Sequence, residues 1–269
     1  MLALRGDDRA LFASDMHLDD RAPDTAEAFF EALAAHGAAA THLFLLGDLF
    51  EAWVGDDDPS TVGLRLRDAL TSASARGQQV FLMRGNRDFL LDVPLPGGGT
   101  QRAANGSAPA VEAFSARCGA SMLEDPTVVS LFGVAALLSH GDALCVDDLA
   151  YQAFRTESRS TRWQRDFLAR SLEQRIDAAR AMRERSRVEK DAKAEELMDV
   201  NAQAVEHAMR EAGVALLIHG HTHRPARHVQ ATENGTLERW VLPDWDPGRR
   251  RGGMLVATRD GLSPVGDWG

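Results

Sequence analysis

The stretch HLFLLGD, residues 42–48, decides the fold class of this chain. Its apolar run is short and ends at a polar pair, as expected for a strand that is buried on both faces. Similar runs, each followed at once by a polar cluster, occur at 10–14, 42–46, 80–83, 134–138 and 214–218, with the clusters SDMH, GDLFE, GNRD, SHGD and HGHTH. Helical spacing at 24–36 and 61–76 separates the first three runs. Because strands that alternate with helices are typical of right-handed βαβ units, we predict an α/β fold.

Other segments carry clear local signals. Residues 128–138 are predicted to form a hairpin around Gly133, and Asn234-Gly235 and Asp260-Gly261 are predicted hairpin turns. The sixty residues from Tyr151 to Arg210 contain no proline and are predicted to be mostly helical. The segment 92–110 is rich in Gly and Pro, which predicts a mobile loop.

Composition and charge exclude several classes of protein. The 269 residues carry a formal net charge of −10, which argues against a nucleic-acid-binding protein. The two cysteines supply no disulfide framework and are typical of a reducing cytosol. The N-terminus lacks the apolar core of a secretory signal, and no apolar stretch is long enough to span a bilayer. We therefore expect a cytoplasmic protein whose membrane contact is at most peripheral.

The polar clusters contain side chains that bind metal ions. In open α/β sheets the carboxyl ends of the strands form the ligand crevice, so we predict that the clusters converge at one edge of the sheet. Their oxygen and imidazole ligands are Asp15, His17, Asp48, Asn86, His140, His221 and His223. One divalent ion takes four to six ligands, so seven groups plus water suit two ions that share a bridge. The two carboxylate oxygens of Asp48 could form that bridge, and the neutral oxygen of Asn86 suits Mn²⁺ or Fe better than zinc.

Each of these residues also has an ordinary structural interpretation. A single Asp after a strand is usually part of a turn or a helix cap, and a single buried His is usually a hydrogen-bonded core residue. Five such clusters at five strand ends are harder to attribute to chance, and together they favour a dinuclear metal site.

The motifs D-x-H, G-D, G-N-[RH]-D, H-G-D and G-H-T-H, in this order, resemble those of the calcineurin-like metallophosphoesterases. That resemblance implies a double β-sandwich flanked by helices, classed as α/β or, by some schemes, α+β. The stretches LFASDMHL, LGDLFEAWVGDDDP, GNRDFLL, SHGDALCVDDLAYQAFR, MDVNAQAV and IHGHTHRPARH are similar to the UDP-2,3-diacylglucosamine pyrophosphatases of lipid A biosynthesis, from about Leu11 to Trp245. The family pattern implies one domain, 1–269, with a helical cap inserted at 149–200.

The resemblance implies a reaction and two Mn²⁺ ions. One ion would be held by Asp15, His17, Asp48 and His223, and the other by Asp48, Asn86, His140 and His221. Metal-activated water would attack the α-phosphorus of UDP-2,3-diacylglucosamine and release UMP and 2,3-diacylglucosamine 1-phosphate. The implied catalytic residues are Asp48, Asn86, Arg87 and His221. The neighbouring His219, Asp88 and Asp142 are expected to hydrogen-bond around the ligands instead of binding metal.

The segment between HGD and GHTH is the candidate cap. Residues 155–193 contain twelve Lys or Arg and seven Asp or Glu, a local net charge of +5. Apolar residues recur there at helical spacing: Trp163, Phe167, Leu168, Leu172, Ile176 and Ala179. One interpretation is a helix that packs on the core with a solvated charged face. The other, which the family favours, is a cap that holds acyl chains and turns its basic side to phosphates or the anionic inner membrane.

The resemblance also implies residues that contact the substrate. These are Asn86, Arg87, Asp148, Tyr151, Arg183, Ser186, Lys190, Lys193, His221 and Trp53, although Lys190 stands where relatives often carry a small polar residue. Three alternatives remain open: a metallophosphoesterase for another nucleotide or phosphodiester, a non-enzymatic scaffold, and a docking surface for an acidic protein. No obligate protein partner is evident from the sequence.

Overall fold

In the computed structural model, the described residues are 1–96, 111–192, 199–232 and 235–268, and of 187–192 only the backbone is described. The described strands are β1 Ala3–Leu4, β2 Ala10–Ala13, β3 His42–Leu46, β4 Gln79–Met83, β5 Ser121–Leu123, β6 Thr127–Leu131, β7 Val134–Ser139, β8 Leu216–His219, β9 Ala226–Thr232, β10 Gly235–Val241, β11 Arg251–Thr258 and β12 Gly261–Trp268. The described helices are α1 Pro23–Gly37, α2 Thr61–Ala75, α3 Phe114–Cys118, α4 Leu149–Ser158, α5 Thr161–Leu168, α6 Leu172–Ala192 and α7 Ala202–Glu211.

The described strands form two mixed sheets of six strands each. The first sheet has the order β12-β11-β2-β3-β4-β5, and β2 to β5 run parallel. The second has the order β1-β6-β7-β8-β10-β9, and β7, β8 and β10 run parallel. Parallel neighbours need a crossover connection, which α1 and α2 supply between β2, β3 and β4. The α/β class and the helix-flanked double sandwich are confirmed.

Strand β3 shows how the first sheet is buried on both faces. All five of its residues are buried. Phe44 packs in a cluster with Leu138 and Ile218 of the second sheet. Leu43 and Leu45 point to the opposite face and pack with residues of α1 and α2. Successive side chains of a strand point to opposite faces, so a strand between two layers requires an unbroken apolar run.

The expectation that five polar clusters meet at the edge of one open sheet was wrong. Three clusters follow β2, β3 and β4 of the first sheet, whereas the other two follow β7 and β8 of the second. The clusters nevertheless meet, since the backbone N–H of His221 donates a 2.8 Å hydrogen bond to Asp15 Oδ2. Because the sheets pack face to face, the carboxyl ends of their central strands open at the same end of the sandwich.

The boundaries of most elements agree with the predictions. β3 has the predicted bounds, and β8 begins two residues later than expected. The hairpins around Gly133 and Asp260-Gly261 are confirmed by the antiparallel pairing of β6 with β7 and of β11 with β12. β9 and β10 pair in the same way, although Asn234 lies outside the described residues. Most of the predicted loop at 92–110 also lies outside them.

The predicted helical region between β7 and β8 is divided into four described helices, α4 to α7. Ser160 starts α5, because its side chain accepts a hydrogen bond from the backbone N–H of Trp163, as an N-cap residue does. Within the described ranges, no helix combines the length and the apolarity that crossing a bilayer requires.

Candidate metal centre and adjoining cavity

The loops that follow the strands have an unusual backbone. Among the described residues, eight other than glycine have positive φ, and five of these are predicted ligands. They are Asp15 (55°), His17 (47°), Asp48 (51°), His221 (71°) and His223 (55°). A left-handed conformation costs on the order of 1–3 kcal/mol for such residues, and it persists where the surrounding structure enforces it. Here it directs the five side chains toward one point at the end of the sandwich.

Two glycines let these loops approach each other closely. A Cβ atom on Gly85 would lie 2.1 Å from Asp48 Oδ1, and one on Gly220 would lie 2.1 Å from Ser14 Oγ. Both distances are far shorter than a van der Waals contact. The glycines of GNRD and HGHTH are therefore required for the loops to bring their ligands together.

One half of the site contains Asp15, His17 and His223. The Nε2 atoms of the two histidines are 3.2 Å apart, and His223 Nε2 lies 3.5 Å from Asp15 Oδ1. His17 Nε2 lies 3.8 Å from Asp48 Oδ2, which links this half to the other. Asp15 is fully buried, and its Oδ1 atom has no hydrogen-bond partner. A buried carboxylate oxygen without a donor beside two imidazole nitrogens is the arrangement that a cation would satisfy.

The other half contains Asp48, Asn86, His140 and His221. His140 Nε2 lies 3.5 Å from Asp48 Oδ1 and 3.0 Å from Asn86 Oδ1, and His221 Nδ1 lies 2.8 Å from the same amide oxygen. The other nitrogen of His140 faces the carbonyl oxygen of Leu46 at 3.0 Å. With its oxygen inward, Asn86 is oriented as a cation would need it. Turning the amide over would let its nitrogen donate to both imidazoles instead.

The buried carboxylates raise the pKa of two histidines of the site, His140 and His223. Burial alone would lower the pKa of His140, but the charges of Asp48 and Asp15 outweigh it and raise the pKa to about 9. The pKa of His223 is likewise raised to about 9, because its contacts with Asp15 and Asp244 outweigh burial. For His221, burial and the charge of His140 lower the pKa to about 4. A buried set of carboxylate, amide and imidazole ligands without thiolates fits divalent cations that prefer oxygen and nitrogen.

Three carboxylates support these ligands. Asp88 accepts hydrogen bonds of 2.6 Å from the backbone N–H groups of Gly85 and Leu49, so it ties the GNRD loop to the GD loop. Glu51 Oε2 lies 3.2 Å from His17 Nδ1, and Asp244 Oδ2 lies 3.3 Å from His223 Nδ1. Such carboxylate–histidine pairs orient the imidazole that binds a metal. Sequence reasoning expected a supporting role for Asp88 but missed Glu51 and Asp244.

Two other expected supporting residues have different partners. His219 is fully buried and contacts the carbonyl oxygen of Gly220 and Arg239 Nη1, at 2.8 and 3.1 Å. Asp142 accepts hydrogen bonds from the Tyr151 hydroxyl, Arg155 Nε and Arg159 Nη2, at 2.5, 2.9 and 2.9 Å. Asp142 therefore connects the SHGD loop to α4 and its C-terminal end.

Asp244→Asn is expected to weaken metal binding by roughly 10- to 100-fold, because the amide no longer holds the His223 ring through a charged oxygen. The measurement is competition for Mn²⁺ against a fluorescent chelator. The control is Asp267→Asn, which changes a carboxylate that is 57% exposed and far from the ligands in sequence. Equal affinity in both variants would contradict the positioning role of Asp244.

A cavity of about 400 Å³ adjoins the ligands. Of the residues expected to contact the substrate, it is lined by Trp53, Asn86, Arg87, Asp148, Tyr151, Arg183, Ser186 and His221. Lys193 lies outside the described residues, and the side chain of Lys190 is not described. The structure therefore brings the described members of this set together around one cavity.

Part of the lining of the cavity is apolar. Its apolar lining includes Phe89, Leu90, Phe154, Phe167 and Met182, which sequence reasoning named only in part. Of the six apolar residues predicted to face acyl chains, Phe167 and Ala179 line the cavity. Leu168 does not: it is 4% exposed and packs in the core beside Gly55. Leu168 thus belongs to the core, whereas Phe167 and Ala179 line the cavity.

The expected basic side of the cavity is partly neutralised. Arg183 forms an ion pair with Glu51, which also contacts His17. Tyr151 also lines the cavity, and its ring is stacked on that of His221 at a centroid distance of 6.0 Å. The lining of the cavity therefore combines paired polar groups with apolar side chains.

Comparison with known proteins agrees with this geometry. The family model described as calcineurin-like phosphoesterase matches residues 9–225. A protein of Bordetella pertussis named UDP-2,3-diacylglucosamine hydrolase is 44% identical over 266 residues, which cover 97% of this chain and 95% of the relative. A protein of Aromatoleum aromaticum with the same name is 43% identical over 236 residues, which cover 88% of this chain and 89% of the relative. The chain therefore belongs to the calcineurin-like phosphoesterases, within the group whose relatives are named UDP-2,3-diacylglucosamine hydrolase.

Proposed function

We propose that this protein hydrolyses the pyrophosphate bond of UDP-2,3-diacylglucosamine to UMP and 2,3-diacylglucosamine 1-phosphate, a step of lipid A biosynthesis. The observation that carries the proposal is the cavity that joins a cluster of metal ligands to an apolar compartment. A lipid nucleotide has the matching chemistry, with a charged pyrophosphate at one end and hydrocarbon chains at the other. The names of the relatives support the same substrate.

The ligand set would hold two divalent ions, and we propose Mn²⁺ for both. Asp15, His17 and His223 would serve one ion, Asn86, His140 and His221 the other, and Asp48 would bridge them. The neutral amide oxygen and the absence of thiolates from this set favour Mn²⁺ over zinc. When bound, the ions would supply Lewis acidity and a water of lowered pKa for an attack on the α-phosphorus.

Arg87 would bind the reacting phosphoryl group. It lines the cavity with 19% of its side chain exposed, and its Nε lies 3.9 Å from Asp48 Oδ2. Its backbone N–H donates a 2.8 Å hydrogen bond to Asp48 Oδ1, which holds the residue next to the ligands. A guanidinium offers two parallel N–H groups to phosphate oxygens, so it can neutralise charge that builds up during the attack.

The apolar compartment would hold the acyl chains. Phe154, Phe167 and Met182 come from α4, α5 and α6, so three helices contribute to it. A hydrocarbon chain gains about 0.8 kcal/mol for each CH₂ group that it buries, so a few methylenes can dominate affinity for the substrate. We therefore propose that the helical segment 149–200 acts as a cap that recognises lipid.

Hydrolysis in ¹⁸O-labelled water tests the reaction directly. We expect Mn²⁺-dependent release of UMP from the diacylated nucleotide, with the label in UMP because water attacks the α-phosphorus. A label in the sugar phosphate would contradict attack at that atom. Equal turnover of an unacylated UDP-sugar would contradict recognition of lipid and favour an esterase for other nucleotides.

We further propose that the protein works on the cytoplasmic face of the inner membrane as a peripheral protein. Three of the large hydrophobic residues that are exposed in the described part of the chain lie in α4 or just before it: Val146 (40%), Leu149 (77%) and Phe154 (36%). Phe154 also lines the cavity. Arg162 of α5 is 88% exposed and adds positive charge nearby in sequence. Apolar side chains among cations are typical of a surface that binds anionic membranes.

Leu149→Asp is expected to weaken binding to vesicles that contain anionic phospholipid by roughly tenfold or more, since burial of a leucine is worth about 1.5–3 kcal/mol. Vesicle co-sedimentation at constant salt measures this. The matched control is Val229→Asp on β9, where an apolar side chain is 58% exposed. If both variants bind vesicles as the unmodified chain does, the start of α4 is not the membrane-binding surface.

A further inference from the structure

Arg175 is buried, although the sequence places it in a charge-rich segment. Its side chain is 1% exposed, and it has the largest volume among the fully buried side chains of the described residues. It faces Asp57, which is 5% exposed, with both arms of the guanidinium. Nη1 donates to Oδ1 at 2.8 Å and Nη2 donates to Oδ2 at 2.5 Å. Such two-point pairing fixes the orientation of the partners as well as their separation.

The loop that holds this guanidinium is built closely around it. Arg175 Nη1 also donates to the carbonyl oxygen of Val54 at 2.6 Å, and Nε donates to that of Arg170 at 3.2 Å. Gly55 lies between Val54 and Asp57 in the chain and has a φ of +134°. A Cβ atom on Gly55 would lie 2.6 Å from Arg175 Nη1. The segment WVGDD, residues 53–57, therefore needs both Gly55 and Asp57 to bind the guanidinium.

Arg175 lies on the same side of α6 as the residues of that helix that line the cavity. Ala179, Met182 and Ser186 follow it at spacings of four, three and four residues, which place all four on one side of a helix. Ala179, Met182 and Ser186 line the cavity, whereas Arg175 does not and lies about one turn before Ala179. Trp53 lines the cavity from the loop that receives Arg175. The loop of residues 53–57 thus contributes Trp53 to the lining of the cavity. The same loop binds α6, which contributes three other lining residues.

We propose that Arg175 is a positioning residue for substrate binding: through Asp57 it holds the cavity-lining face of α6 in register with the metal centre. The inference rests on the proposed function, because the cavity is taken to hold the diacylated nucleotide. Arg175 itself touches neither the ligands nor the cavity. Lysine cannot replace it fully, since a single ammonium group makes no planar two-point contact.

The test compares Arg175→Met, Arg175→Lys and Asp57→Asn with Arg180→Met, which removes a cation that is 66% exposed on the same helix. All are made in the full chain loaded with Mn²⁺. For Arg175→Met and Asp57→Asn we expect the KM for the diacylated nucleotide to rise by about tenfold or more, because the binding groups are misplaced. We expect kcat/KM for bis(p-nitrophenyl) phosphate and the bound metal to change by less than about twofold. Hydrogen exchange of the backbone amides at 172–186 should become faster.

Arg175→Lys should give the same changes to a smaller extent, and it carries the test if the methionine variant does not fold. Unchanged hydrogen exchange at 172–186 would overturn the proposal. So would a parallel loss of both activities together with bound metal, or an equal KM change in Arg180→Met. Failure of the proposed function would look different: the unmodified chain would not hydrolyse the diacylated nucleotide at all. Hydrogen exchange would then still decide whether Arg175 holds α6.

Discussion

Asp48→Asn is expected to lower turnover by roughly 10³-fold or more, because the site loses the carboxylate that lies between both groups of ligands. Asp48 Oδ2 lies 3.8 Å from His17 Nε2, and Oδ1 lies 3.5 Å from His140 Nε2. An amide has one oxygen and no charge, so it cannot serve both ions. Metal content by mass spectrometry and UMP release, measured on the same sample, check the prediction.

The fold is expected to survive Asp48→Asn. The residue follows β3, and the amide oxygen can still accept the hydrogen bond from the backbone N–H of Arg87. The melting temperature of the metal-free protein should therefore match that of the unmodified chain. A variant that keeps two bound metals and full turnover would exclude Asp48 as the bridge.

Arg87→Ala is expected to lower kcat on the order of 10²-fold while the metal content stays the same, because a charged donor to the transition state is lost. Arg87 lines the cavity, and its hydrogen bond to Asp48 comes from the backbone N–H, which the substitution keeps. Steady-state kinetics with saturating Mn²⁺ check this prediction. Arg87→Lys should recover part of the loss, since it keeps the charge without the fork of two donors.

A different outcome would change the role of Arg87. If the alanine variant lost its metals, the side chain would hold Asp48 in place through the contact of 3.9 Å between Nε and Oδ2. If KM alone rose, the residue would contribute equally to binding the substrate and the transition state.

The ligand cluster could be predicted because its members carry local signals. Asp15, Asp48 and His140 each follow an apolar run that ends abruptly, and such an end can be read from a few neighbouring residues. The structure brings them close together: one ligand atom from each lies within 4.8 Å of the others, which is close enough for a cation to lie between them. Glu51 and Asp244 have no such signal, since acidic residues are common beside strands and in loops.

The helical segment shows where local signals mislead. Periodicity placed Leu168 and Ala179 on one apolar stripe, and they are both buried. Leu168 of α5 packs in the core, whereas Ala179 of α6 lines the cavity, because the two residues belong to separate helices. Charge counting included Arg175 among the cations of residues 155–193, yet it is buried and its partner Asp57 comes from a loop more than a hundred residues earlier.

The sequence by itself determined the layered α/β fold, the chemical types of the metal ligands and the family to which the chain belongs. These features depend on apolar period and on motif order, which are properties of short segments. Only the tertiary structure decided that the ligands come from two sheets, that Asp57 holds Arg175, and that Phe154, Phe167 and Met182 share a cavity. These relations depend on how distant segments pack, because a buried charge or an apolar wall is defined by what lies against it and not by its neighbours in the chain.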